Sequence, residues 1–123
     1  MNKTISWFEI PALDLNRATR FYEQVLAVTL NRGDMEFSSL AVFPYDREHS
    51  TGGCLMQGPG LRPSTAGAIL YLNANPSIQA VLDRVPAAGG KVVLSRTQLP
   101  SGMGAFAHFL DSEGNRIGIH ADA

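Results

Sequence analysis

Glu9, His108 and His120 are the side chains of this sequence best suited to moving protons at neutral pH. An imidazole titrates near pH ~6.5, so two of them beside a carboxylate could act as general acid and general base. The same trio, two histidines and one carboxylate, could instead hold a divalent ion. A plainer alternative stands beside both: Glu9 pairs with Arg116 or with water, and the histidines line a wet groove. Glu9 and His108 are taken as the candidate catalytic pair. Trp7, Leu70, Leu72, Phe106 and His120 are taken as the candidate substrate contacts. An aromatic as large as Trp7 would stack on a flat or apolar ligand.

Other reactive types point nowhere. Cys54 is the single cysteine, so it forms no internal disulfide, and it reads as a small buried apolar residue. His49 sits in a polar loop. Gly52-Gly53 and Gly102-Met103-Gly104 lack the strand, glycine loop and helix order of a phosphate loop. No base can be placed beside Ser101, so a nucleophilic hydrolase is unsupported.

The histidines are positioned by a hairpin. Asp111-Ser112-Glu113-Gly114-Asn115 suits a type I turn with Gly114 in the left-handed region. Asp111 then pairs with Asn115, Leu110 faces Arg116, His108 faces Gly118, and Phe106 faces His120. Strand alternation puts these last six side chains on one face. Ala107, Phe109, Ile117 and Ile119 form the other, apolar face, suited to packing under a helix.

The elements before it follow one plan twice. Ile5 to Ile10 alternates as a strand. Asp14 caps a helix whose apolar positions are Leu15, Ala18, Phe21, Tyr22, Val25 and Leu26. Strands are expected at about 28–31, 37–44 and 53–57. In the second half, Ala68 to Asn73 reads as a strand, with Asn75 as N-cap and Pro76 as the first helical residue. Ile78, Val81, Leu82 and Val85 give the helix its buried face, and Pro86 is expected to cut it early. Strands at 91–94, 105–110 and 116–120 complete the unit. The halves register at an offset of 61, matching Trp7 to Ala68 and Asp14 to Asn75. The pattern predicts an α+β chain of two βαβββ modules: module one about 1–57, a linker at 58–66, and module two about 67–123.

Composition fits one soluble domain. The 123 residues allow a real core, and the net charge of -1 with scattered signs offers no basic patch for nucleic acid or anionic lipid. No apolar run reaches the roughly 20 residues that span a bilayer. Met1 to Thr4 leads straight into a strand-like segment, and with one cysteine a cytoplasmic setting is expected.

Three stretches resemble the glyoxalase, bleomycin-resistance and extradiol-dioxygenase group, the vicinal oxygen chelate superfamily. They are Trp7 to Pro11 with Asp14 to Ala18 and Phe21-Tyr22, Ala88 to Val92, and Asp111 to Gly118. The resemblance implies a half-open barrel of curved mixed sheet with helices outside, a small-molecule cavity, and a homodimer, sometimes with modules exchanged. It implies that Trp7, Glu9, His108 and His120 face the cavity, with Gly118 opening space opposite His108. It also implies where metal ligands of relatives would fall: Trp7, Ala68 and Gly118, with a fourth near Gly53 or Cys54. The first three carry no donor atom, so no metal cofactor is expected. Two functions lead, a metal-independent lyase or isomerase and a protein that binds or sequesters an apolar or aromatic compound, with a protein-interaction module whose cavity is vestigial as a third.

Overall fold

The computed structural model describes residues 3–123. The first module contains β1 (Trp7–Pro11), α1 (Leu15–Leu26), β2 (Asn31–Asp34), β3 (Ser39–Val42) and β4 (Gly52–Gln57). The second contains β5 (Tyr71–Asn73), α2 (Ile78–Ala88), β6 (Lys91–Gln98), β7 (Ala105–Leu110) and β8 (Arg116–Ala121). Each module builds one four-stranded sheet, ordered β1-β4-β3-β2 and β5-β8-β7-β6. The first strand lies parallel to the last, and the other pairings are antiparallel. The architecture is the expected α+β pair of βαβββ modules, with sheets that stay open and do not close into a barrel.

The helices form where the apolar spacing placed them. Asp14 caps α1 by accepting from the Arg17 amide, and Leu15, Ala18, Phe21, Tyr22 and Val25 are buried. Ser77, not Asn75, caps α2, accepting from the Ala80 amide. Asn75 instead accepts from the Asp122 amide, and Pro76 stays outside the helix. Pro86 does not cut α2, which runs on to Ala88 and ends at Gly89 with φ 106°. A proline this close to the end removes only one helical bond, so termination follows from the left-handed glycine. Among the described residues, no helix is long and apolar enough to cross a membrane.

The two helices pack on each other and on both sheets in one core. Phe21 of α1 meets Phe109 of β7 at 5.7 Å between ring centroids, and Tyr22 meets Phe43 at 5.6 Å. The hairpin register is the one expected, residue for residue from Phe106↔His120 to Leu110↔Arg116. Gly114 has φ 98°, where a side chain would be strained.

The turn does more than reverse the chain. Glu113 Oε1 accepts from the Leu13 and Asp14 amides at 2.9 and 2.8 Å, and its carboxylate takes two bonds from Arg17. It thereby satisfies amides ahead of α1 that the helix itself leaves unpaired. Burial alone would raise the Glu113 pKa. Hydrogen bonds from Arg17, the Asp14 amide and Ser112 outweigh it and hold the carboxyl below its usual 4.5. A depressed folded pKa contributes stability that is full above the unfolded value and is lost as pH falls through the folded one. Glu113→Gln should therefore be less stable than wild type at pH 7, and the gap should narrow at a pH below the ordinary 4.5. Urea unfolding at the two pH values measures this; a gap unchanged by pH contradicts it.

Candidate functional site

The outward face of the second sheet gathers the most chemistry. His108 and Gly118 are paired across β7 and β8, as are Phe106 and His120, and Tyr71 of β5 lies beside Gly118. Tyr71, Leu99, Phe106 and His120 line a largely apolar cavity of about 320 Å³. The rings pack edge to face: Tyr71 with Phe106 at 6.1 Å, and Phe106 with His108 at 5.8 Å.

A polar chain runs beneath this cavity. Arg116 Nε donates to His108 Nδ1 at 3.1 Å, and His108 Nε2 lies 2.7 Å from the Tyr71 hydroxyl. A guanidinium N–H can only donate, so Nδ1 is the unprotonated nitrogen. Nε2 of the neutral ring therefore carries the proton and donates to the Tyr71 oxygen. The phenol keeps its own O–H, which makes no hydrogen bond to another described residue. Burial, and then the Arg116 charge, push the His108 pKa down. Protonating Nδ1 would set an N–H against an N–H. The ring is thus held neutral, with both nitrogens engaged. At the other end, His120 Nε2 lies 2.7 Å from the Met103 carbonyl, so it donates there and ties the 99–104 loop to β8.

Trp7 and Glu9 lie on the outward face of the first sheet. The Trp7 ring meets Tyr45 edge-on at 5.8 Å and lies over Gly52. Glu9 pairs in register with Cys54. Burial pushes the Cys54 thiol up, a Trp7 hydrogen bond opposes this, and the Glu9 charge adds to it. That is the reverse of what an activated thiolate needs. Among the described residues, Glu9 makes no hydrogen bond or ion pair with His108, His120 or Arg116. The expected Glu9, His108 and His120 constellation is thus divided between the two sheets.

Two further expectations change. Leu70 and Leu72 do not line the Tyr71 cavity: Leu72 is 8 % exposed within the core, Leu70 packs against that core, and both line a different cavity together with Phe8, Val28 and Phe43. The cause is a one-residue slip. Ala12 and Ala74 make the same bond to the last strand of their modules, so the first strands correspond 62 positions apart (74 − 12), not 61. A slip of one turns every side chain to the other face. Tyr71 takes the outward place between the two leucines. Gly118 opens no free space either: a Cβ there would lie 2.5 Å from Tyr71 Cδ1. The glycine is the seat of the Tyr71 ring.

The sequence model of the Glyoxalase/Bleomycin resistance protein/Dioxygenase superfamily matches residues 4–119. The chain belongs to this superfamily. No curated protein matched the sequence. Solved structures share the superfamily's fold at low identity. Glyoxalase I from Zea mays aligns with a TM-score of 0.69 and 22% identity over 95% of this chain and 45% of its own. The chain thus spans less than half of that protein. A glyoxylase/bleomycin resistance protein/dioxygenase domain from Frankia sp. EAN1pec aligns with a TM-score of 0.72 and 16% identity, over 98% and 93% of the two chains. The fosfomycin resistance protein FosX of Listeria monocytogenes, solved with Mn(II) and a dihydroxypropylphosphonic acid, gives 0.71 and 16%, over 100% and 95%.

This superfamily member is poor in donors where the resemblance places metal ligands. Trp7 and Ala68 offer none, and at Gly118 the Tyr71 ring fills the space a ligand side chain would need. The one-residue correction moves the Ala68 position to Ile69, again without a donor. Among the described residues, no group of three or more His, Cys, Asp or Glu side chains is arranged to hold an ion. The residues present do not fit the group.

Proposed function

We propose that this protein binds a small, largely apolar or aromatic compound that carries a hydrogen-bond acceptor, and does so without a bound metal. The observation that carries the reading is the Arg116–His108–Tyr71 chain, which leaves the phenol O–H of a cavity-lining residue without a protein partner among the described residues. A few placed polar groups in an apolar cavity are what orient a small ligand. Binding is favoured over lyase or isomerase chemistry because the expected base is spent. His108 has both nitrogens engaged, and Glu9 stands on the other sheet. The partly open Trp7 and Tyr71 faces, 41% and 47% exposed, favour a homodimer, which sedimentation would measure.

Titrating aromatic ketones and aromatic acids against the protein tests the reading. Tyr71→Phe should keep the fold and weaken the best ligand about tenfold, the worth of one hydrogen bond to the ligand. Equal affinity in the variant contradicts it. Affinity should stay constant as pH falls past 6.5, the ordinary histidine value, and drop only at lower pH where His108 finally takes a proton. Protein grown in metal-supplemented medium and dialysed should carry no stoichiometric divalent metal. About one ion per chain would overturn the metal-free part.

A further inference from the structure

A second cleft lies between the sheets, separate from the Tyr71 cavity. It encloses about 190 Å³, below the roughly 300–1,000 Å³ of pockets for drug-sized ligands. Its floor is apolar, with Leu70 and Ile117, and its charged lining is Glu9, Arg62 and Arg116. No two of these three charges form an ion pair among the described residues. Among the described residues, the Glu9 carboxylate and the Arg62 guanidinium make no side-chain hydrogen bond, and the Arg116 side chain uses only Nε, on His108. One carboxylate and two guanidinium-bearing residues thus line a small cleft, with Glu9 and Arg62 exposed to solvent there.

We infer that this cleft binds a short zwitterion, an amino acid of a few heavy atoms. Its carboxylate would bridge Arg62 and Arg116, and its ammonium would meet Glu9. Two arginines favour a carboxylate, because the planar fork donates two parallel bonds to it. Glu9 sets the class more narrowly. It would repel a second negative charge on the ligand and attract a positive one. The small volume suits a short ligand. The inference does not rest on the Tyr71 reading, since only Arg116 is near both places, and it gives Glu9 a role that proton transfer with His108 does not.

The test is a chemical-shift titration of the full chain with alanine, acetate and methylamine as probes. Alanine should bind at least tenfold more tightly than acetate, with shifts at Arg62, Arg116 and Glu9, and methylamine should not bind. Glu9→Gln should weaken alanine about tenfold and leave acetate unchanged or tighter. Arg62→Gln should weaken both. Tyr71→Phe should leave alanine binding unchanged, so failure of one site is read separately from failure of the other. Equal binding of alanine and acetate to wild type, or shifts confined to other surfaces, would overturn the inference.

Discussion

Asp111→Ala should cost about 3–5 kcal/mol of unfolding free energy, a large part of the ~5–15 kcal/mol of an ordinary domain. Asp111 is 4% exposed. Its Oδ1 accepts from the Glu113 and Asn115 amides, each at 2.9 Å, and its Oδ2 accepts from the Asn115 side chain and the Tyr22 hydroxyl. Truncation removes all four acceptor contacts. It leaves the Tyr22 hydroxyl, on a fully buried side chain, without its partner. Burial and then the Asp111 charge raise the Tyr22 pKa well above 10.0, so the phenol stays the donor throughout the neutral range. Tyr22→Phe removes only one of the four bonds and should cost far less. Urea midpoints for the two variants measure the difference, and a loss under about 1 kcal/mol for Asp111→Ala contradicts this account of the turn.

Gly118→Val should abolish binding at the Tyr71 cavity, weakening any ligand by more than ~100-fold, while the protein still folds. Even a methyl group at this position would sit 2.5 Å from the Tyr71 ring. The ring must swing away. That breaks the 2.7 Å bond to His108 and removes one wall of the cavity. Overpacking of this kind costs about 1–3 kcal/mol, which a domain survives. Because the face is open to solvent, most of the penalty should fall on binding rather than folding. Ligand titration together with a melting curve separates the two, and a folded Gly118→Val protein of unchanged affinity would contradict the seat role.

Much of the fold is legible in the sequence. The hairpin register followed from Gly114 and from the alternation of Phe106 to Leu110 against Arg116 to His120. Turn chemistry and a two-residue period are local, so they survive without knowledge of the rest. The slip on β5 has an equally local cause. Asn75-Pro76 looks like a helix start and anchors the repeat at 61, but Ser77 is the cap, and the second module carries one more residue between strand and cap than the first, so the strands correspond at 62 and the caps at 63. The alternation Leu70-Tyr71-Leu72 held the corrective signal: two leucines want the core, so the tyrosine between them must face out. The expected strand at 28–31 starts later, at Asn31, because Leu30 is buried and its amide bonds the Glu23 carboxylate rather than a neighbouring strand. The split of Glu9 from His108 was not readable, since it depends on how two sheets sit on a shared helical core. The docking of Glu113 and Asp111 onto α1 is hidden for the same reason: each contact spans about ninety to a hundred residues of sequence.

The proposed binding function depends on the placement of one proton. Nitrogen-15 chemical shifts of the His108 ring at pH 7 read it directly. The neutral ring should be protonated at Nε2 and bare at Nδ1, and Arg116→Gln should let that pattern relax. A ring protonated at Nδ1, or an imidazolium at pH 7, would mean that Tyr71 is not left as a donor, and the binding function proposed for this face would lose its basis.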